Sequence, residues 1–239
     1  MSNELNNDAN NDFKNIEVAE DADALKEQLF GQTQAEKYKK PFLIVLGVLV
    51  AVVGGFMLYK WQVKQQEEKA QVELFPAVFY FEKDSLDKAL HGDGNTTTGF
   101  IKIADEYSLT KAGNLANFYA GASKLKKGDY DGAIAHLDKF SASDLLLQAR
   151  AYCLTGDAYM QKKDYDNAAK FYKKASEYKA NQYTTPFYLF KLGLAYEKKS
   201  DWSNAHAAYK RIVDEFRENS DYARAEKYMY KMEAIMGGK

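Results

Sequence analysis

Cysteine is almost missing from this chain. Of 239 residues only Cys153 is one, which excludes an internal disulfide and any metal site built from several thiolates. Histidine is nearly as scarce. His91, His136 and His206 are far apart, and no two have the i,i+3 or i,i+4 spacing that would put them on one helix face for a metal. Three prolines fit a long helical array better than a loop-rich fold. An excess of charge is absent too: the formal net charge of −1 gives no reason to expect nucleic acid as a partner. The sequence has no phosphate-cradling glycine loop ending in Lys-Ser/Thr, no nucleophile elbow and no HExxH. The turn at 93–95 starts like a calcium loop, but Thr98 stands where such a loop needs glycine and Ala104 where it needs glutamate. No catalytic residue, cofactor or metal is therefore expected, and Cys153 reads as a buried or groove-lining small residue.

One long apolar run is present. Residues 41–59, PFLIVLGVLVAVVGGFMLY, are nineteen positions without a charge. At ~1.5 Å per residue they span about 28 Å, the thickness of a bilayer's hydrocarbon core. Lys37, Lys39 and Lys40 flank one end, and Tyr59, Lys60 and Trp61 mark the other as an interfacial boundary. The run is too long for a cleaved signal peptide, no small-x-small cleavage site follows it, and no cysteine near its end could take a lipid. It reads as an uncleaved signal anchor that puts the chain in a lipid bilayer. The lysine count around it is nearly balanced, with the tightest cluster before the run. That favours an internal N-terminus and an external C-terminal part.

Ahead of the run, residues 1–40 are asparagine-rich, with nine acidic residues against five lysines. They carry too little apolar surface to offset their ordering entropy, so a disordered tail is expected. A short binding helix near 23–30, with Leu25 and Leu29 at i,i+4, is the alternative. Residues 60–72 are polar and free of Gly and Pro, as a helical stalk would be.

From residue 73 to 239 the pattern is that of an all-α array. KKGDYDGAIAHL, KKDYDNAAKFY and KKSDWSNAHAAY align on Asp129, Asp164 and Asp201, at periods of 35 and 37 residues. Each Asp is placed to cap the helix that follows it, and the lysines before it suit the negative end of the preceding helix. Ala133, Ala168 and Ala205 allow close helix approach, with Leu137, Tyr172 and Tyr209 on the same face. The preceding helix of each pair carries Gly121, Gly156 or Gly193. A helix-interior glycine costs about 1 kcal/mol against alanine, so its recurrence implies close packing. Tyr159 and Tyr196 lie three residues on, where Lys124 stands in the first unit.

This series resembles the tetratricopeptide repeat, a helical hairpin with a period near 34. The chain departs from that pattern in lacking the repeat-ending proline, with Ala180 and Arg217 in its place. Thr185 is expected as cap and Pro186 as first helical residue of the last pair. Repeats are placed at 114–147, 149–182 and 186–219, a degenerate one at 74–107, and a capping helix at 221–236 with Tyr222, Ala225, Met229 and Met232 inward. An anchor, a stalk and a short repeat domain also resemble the layout of the bacterial ancillary Sec-translocon subunit family. That resemblance implies a single-pass protein of the bacterial inner membrane with a cytoplasmic N-terminus and a periplasmic repeat domain. It also implies partners in the Sec-type translocation machinery and a chaperone-like role.

In tetratricopeptide arrays the first helices line a groove that holds other proteins or peptides. Carried onto this sequence, the groove includes Leu115, Phe118, Leu125 and Lys126. Arg150, Cys153, Asp157, Met160 and Gln161 follow, then Phe187, Phe190, Leu194, Glu197 and Lys198. The expected function is a non-enzymatic, membrane-tethered interaction scaffold or adaptor. The alternative is a structural protein that self-associates through the same face.

Overall fold

The computed structural model describes the backbone of residues 5–237, and side chains at 24–26, 28, 38–39 and 41–237. The chain divides into two units, Met1–Trp61 and Gln62–Lys239. Helix α1 (Leu5–Glu82) begins in the first and ends in the second.

In the first unit the apolar side chains from Phe42 to Tyr59 are all exposed, so that stretch has no protein core of its own. Among the described residues it belongs to the one helix long and apolar enough to cross a membrane. Most side chains of the 1–40 tail, and all of residues 1–4, lie outside the described residues. The backbone from Leu5 is helical rather than irregular, in a stretch with no Gly or Pro from position 5 to 30.

The second unit continues with α2 (Leu86–His91), α3 (Phe100–Glu106), α4 (Lys111–Lys126), α5 (Tyr130–Lys139) and α6 (Leu147–Gln161). It ends with α7 (Tyr165–Glu177), α8 (Thr185–Lys198), α9 (Trp202–Glu215) and α10 (Tyr222–Gly237). From α2 on, each helix packs on the next, as in a tetratricopeptide solenoid. The three hairpins α4–α5, α6–α7 and α8–α9 fall on the three aligned sequence blocks.

Their turns are built alike. Asp129, Asp164 and Asp201 each accept a backbone N–H through the side chain, from Gly132 at 2.9 Å, Asn167 at 3.1 Å and Asn204 at 3.2 Å. The residue before each cap, Gly128, Lys163 or Ser200, has φ of 83°, 60° or 58°. Two backbone bonds close each preceding helix end, such as Lys163 N to Met160 O and Asp164 N to Tyr159 O, both 3.0 Å. This left-handed closure satisfies the last carbonyls of a helix.

The glycines do what their recurrence implied. A Cβ on Gly121 would meet Leu137 Cγ at 2.6 Å, on Gly156 the Tyr172 ring at 2.7 Å, and on Gly193 the Tyr209 ring at 2.4 Å. In each hairpin the first helix is notched to admit the large side chain of the second. Ala133, Ala168 and Ala205 are fully buried beside these contacts.

Two boundaries are corrected. Helix α8 is capped at Thr184, without a side-chain cap bond, and Pro186 is its second residue. Thr185 is instead buried and accepts from Asn181 N at 2.8 Å. The stalk expected at 60–72 is docked over its second half. Glu67 Oε2 accepts from Ala112 N at 3.1 Å at the start of α4, and Ala70 packs with Leu74, Ala77, Phe100 and Ile103 in the first core cluster. The degenerate repeat at 74–107 thus takes its first helix from the end of α1, and α2 and α3 follow. Tyr107 O–H donates to Glu73 at 2.8 Å and fixes α3 to it. At the far end Ala225, Met229 and Met232 of α10 are buried, while Tyr222 is only half-buried.

Candidate functional site

The face expected to bind a partner is split by packing into core and cleft. Phe118 and Phe190 are buried, not groove-lining. Phe118 lies against Phe140, with ring centroids 5.2 Å apart. Phe190 is enclosed by Tyr209 and Tyr228, with the Arg224 guanidinium 3.6 Å over its ring. Helical periodicity puts both on the right face, but the α5–α6 segment covers one and α10 the other. Cys153 is also fully buried, and burial pushes its thiol up to about 12. Leu115 is half-buried at the rim of the first core cluster.

What remains open is a cleft of about 480 Å³ lined by Leu125, Tyr130, Asp157, Met160, Gln161, Tyr172, Lys191 and Leu194. Five of these, Leu125, Asp157, Met160, Gln161 and Leu194, are sequence-expected groove residues from three successive first helices. Arg150 and Phe187 lie elsewhere, in a second cleft of about 400 Å³ with Leu146, Leu147 and Tyr183.

The polar floor of the main cleft was not anticipated. Asp157 Oδ1 accepts from the Tyr172 hydroxyl and from Lys191 Nζ, both at 2.6 Å. The same device recurs one repeat on: Glu197 accepts from the Tyr209 hydroxyl at 2.7 Å and from Lys231 Nζ at 2.6 Å. In both, the aromatic that fills the glycine notch turns its hydroxyl to an acid of its own repeat. That acid in turn holds a lysine from beyond the hairpin, Lys191 on α8 or Lys231 on α10. Burial, then the neighbouring carboxylate, raises the Tyr172 phenol far above its ordinary range. For Tyr209 the causes are burial and then the Glu197 hydrogen bond. Both stay neutral donors at any physiological pH. The sequence signal was there in a weak form, since Lys191 and Lys231 each lie 34 residues after their acid.

The paired lysines at the hairpin turns are also not merely solvated. Lys127 pairs with Asp87, Lys162 with Asp131 and Lys199 with Asp166. Each joins the end of one repeat's first helix to the start of the preceding second helix. These are exposed pairs of small individual worth.

Other polar groups have structural occupations. Asp93 accepts from the backbone N–H of Asn95, Thr96 and Thr97 at 3.0, 2.9 and 2.9 Å. Those bonds hold its carboxyl well below the usual carboxylate range. His136 Nδ1 lies 3.0 Å from Asn117 Oδ1, and His206 Nε2 is 2.9 Å from Glu233. Among the described residues no three His, Cys, Asp or Glu side chains are placed to share a metal ion.

The cleft can therefore do recognition chemistry. Leu125, Met160 and Leu194 offer apolar contact, Gln161 an exposed amide, and Asp157 a carboxylate already fixed in place. No curated relative matches the chain. Two tetratricopeptide repeat family models match, over residues 120–182 and 188–219, which take in the end of α4 and nearly all of α5 to α9.

Proposed function

We propose that this chain is a membrane-tethered scaffold or chaperone-like adaptor whose repeat unit holds peptide segments of other proteins on the extracytoplasmic side. The observation that carries the binding role is the open cleft across α4, α6 and α8, with an apolar rim and a pre-paired acid at its floor. Such a site orients a segment through a few fixed polar groups and takes its affinity from apolar side chains. The exposed apolar helix at 41–59 supports the tether. The lysines before it support a cytoplasmic N-terminus in a bacterial inner membrane, and the layout supports a place near Sec-type translocation or envelope assembly.

The binding role is tested with a photocrosslinker at Gln161 in the full-length protein. Crosslinked partner should be lost in the Met160→Glu, Leu125→Glu double variant while the melting temperature of the repeats holds. Unchanged crosslinking with a folded variant overturns the cleft as the site. A compartment-sensitive reporter fused after Lys239 tests the topology, and activity only in the cytosol would reverse it.

A further inference from the structure

The two long edges of the repeat unit differ in chemistry. One edge carries the turns within hairpins, 127–129, 162–164 and 199–201, all lysine-rich and polar. The other carries the turns between hairpins, where exposed charges at Lys111, Asp144, Lys179, Arg217 and Glu218 alternate with large apolar tips. There Leu109 is 64% exposed, Leu145 46%, Leu146 54% and Tyr183 87%.

These apolar tips are held, not loose. Asp144 Oδ1 accepts from the backbone N–H of Leu146 at 2.8 Å and of Leu147 at 2.6 Å. Asn181 Oδ1 does the same for Tyr183 at 3.0 Å and Thr184 at 2.9 Å. Neighbouring turns are tied side by side. Asn114 donates to Ser141 O at 2.8 Å, the Tyr178 hydroxyl to Ala142 O at 3.0 Å, and Asn219 to Gln182 O at 3.0 Å. The backbone N–H of Leu146, Leu147, Tyr183 and Thr184 and the carbonyls of Ser141, Ala142 and Gln182 are thereby occupied internally. That lowers the cost of moving the tips into a medium of low polarity.

The chain also enters this unit at the apolar edge. Glu67 and Glu73 of α1 hold the start of α4 and the end of α3, beside Leu109. The opposite end of α1 is followed by Asp84, which pairs with Lys126 at 2.6 Å at the lysine-rich edge. Only Lys60 and Trp61 separate the apolar run at 41–59 from the first residue of the unit.

We propose that the inter-hairpin edge rests on the lipid surface, with Leu109, Leu145, Leu146 and Tyr183 entering the headgroup region. This rests on the tethered reading above. Aliphatic and tyrosine side chains at loop tips suit the interface, where an apolar body and a polar tip are both satisfied. The edge that carries lysine turns faces water, and the main cleft, which reaches those turns through Leu125 and Tyr130, stays accessible to a partner.

The test uses the full-length protein in phospholipid vesicles containing lipid spin-labelled near the headgroup. An environment-sensitive fluorophore is placed at Leu146→Cys, Tyr183→Cys or, as control, Lys198→Cys on the opposite edge. Cys153 is buried and takes no label in the folded chain. Emission should shift to the blue and be quenched at positions 146 and 183 but not at 198, with helicity unchanged by each substitution. If the protein resists alkaline extraction yet 146 and 183 are unquenched, the lipid contact is wrong and the tether stands. Blue-shifted but unquenched labels, with energy transfer between labelled copies, would mean that a second copy covers the edge, which also overturns the proposal. Extraction of the protein by alkali would sink the tether and the lipid contact together.

Discussion

The first full hairpin, α4–α5, and the two that follow it solve one packing problem in two ways. In the first, the notch at Gly121 is filled by Leu137 and the turn uses Gly128 in the left-handed conformation. In the later two the notches at Gly156 and Gly193 take tyrosines, and Lys163 and Ser200 occupy the left-handed position. The leucine only packs. Each tyrosine also carries a hydroxyl to an acid that grips a helix beyond the hairpin. The later hairpins thus couple their internal packing to their neighbour, at the cost of backbone strain in the turn. The first is relaxed and carries no such tie. The residue that fills the notch decides whether a hairpin is tied to its neighbour.

Several substitutions would break or sharpen that contrast. The largest effect is expected at the notches. Gly193→Ala and Gly156→Ala drive a Cβ to 2.4 and 2.7 Å from a buried tyrosine ring, and should destabilise by about 3 kcal/mol or more, the upper end of overpacking, even after a helix-propensity gain of about 1 kcal/mol. Gly121→Ala brings a Cβ to 2.6 Å from the buried Leu137 Cγ and 3.1 Å from Ala133 O, and should destabilise by less, about 1 kcal/mol, since an aliphatic side chain yields more readily than a ring. Denaturant unfolding of the three variants tests the ranking, and equal losses would remove the distinction between leucine and tyrosine notches.

Next come the ties. Tyr209→Phe and Tyr172→Phe keep the ring and delete a hydrogen bond to a charged acceptor, a loss of about 1.5–3 kcal/mol each. Hydrogen exchange should rise in the helix beyond the tie as well as within the hairpin. A loss confined to the hairpin's own helices would show that the acid–lysine link transmits nothing.

Smaller effects are expected at the turns. Lys163→Gly and Ser200→Gly relieve a left-handed non-glycine residue and should gain up to about 1 kcal/mol, while Gly128→Ala should lose about as much. Thermal melts that move all three the same way would contradict the strain assignment.

The smallest is a pH effect in the first hairpin. Burial, and then Lys124 and Lys139, lower the His136 pKa from its ordinary 6.5, against weaker opposing pulls from Asp105 and Asp129. The native state thus favours the neutral ring. Its contribution is complete above 6.5 and is lost as pH falls through the lowered native value. His136→Gln should flatten stability between pH 7 and 5, and an unaltered slope would assign the dependence elsewhere.

The local grammar of these repeats was legible in the sequence. Asp129, Asp164 and Asp201 cap, and Gly121, Gly156 and Gly193 notch, because cap and notch depend on residues a few positions apart or in the adjoining helix. Five of the fourteen expected groove residues, Leu125, Asp157, Met160, Gln161 and Leu194, meet at one cleft. Phe118 and Phe190 were misplaced because their cover comes from Phe140, Tyr228 and Arg224, which no periodicity within one helix reveals. The lysine turns were read as dipole partners because their acids sit one repeat back, at separations that vary with loop length. Docking of the segment at 60–72 was hidden by its polarity, since it rests on Ala70 and the Glu67 side chain.

The lone thiol offers one more consequence. Cys153 sits on α6 in the core that α6 shares with α7 and α8, and an alkylating reagent can reach it only when that core parts. The chain carries a single clock, set at the centre of its array. The rate at which Cys153 is alkylated, measured with and without a peptide in the cleft, times the opening of the middle hairpin without any introduced cysteine.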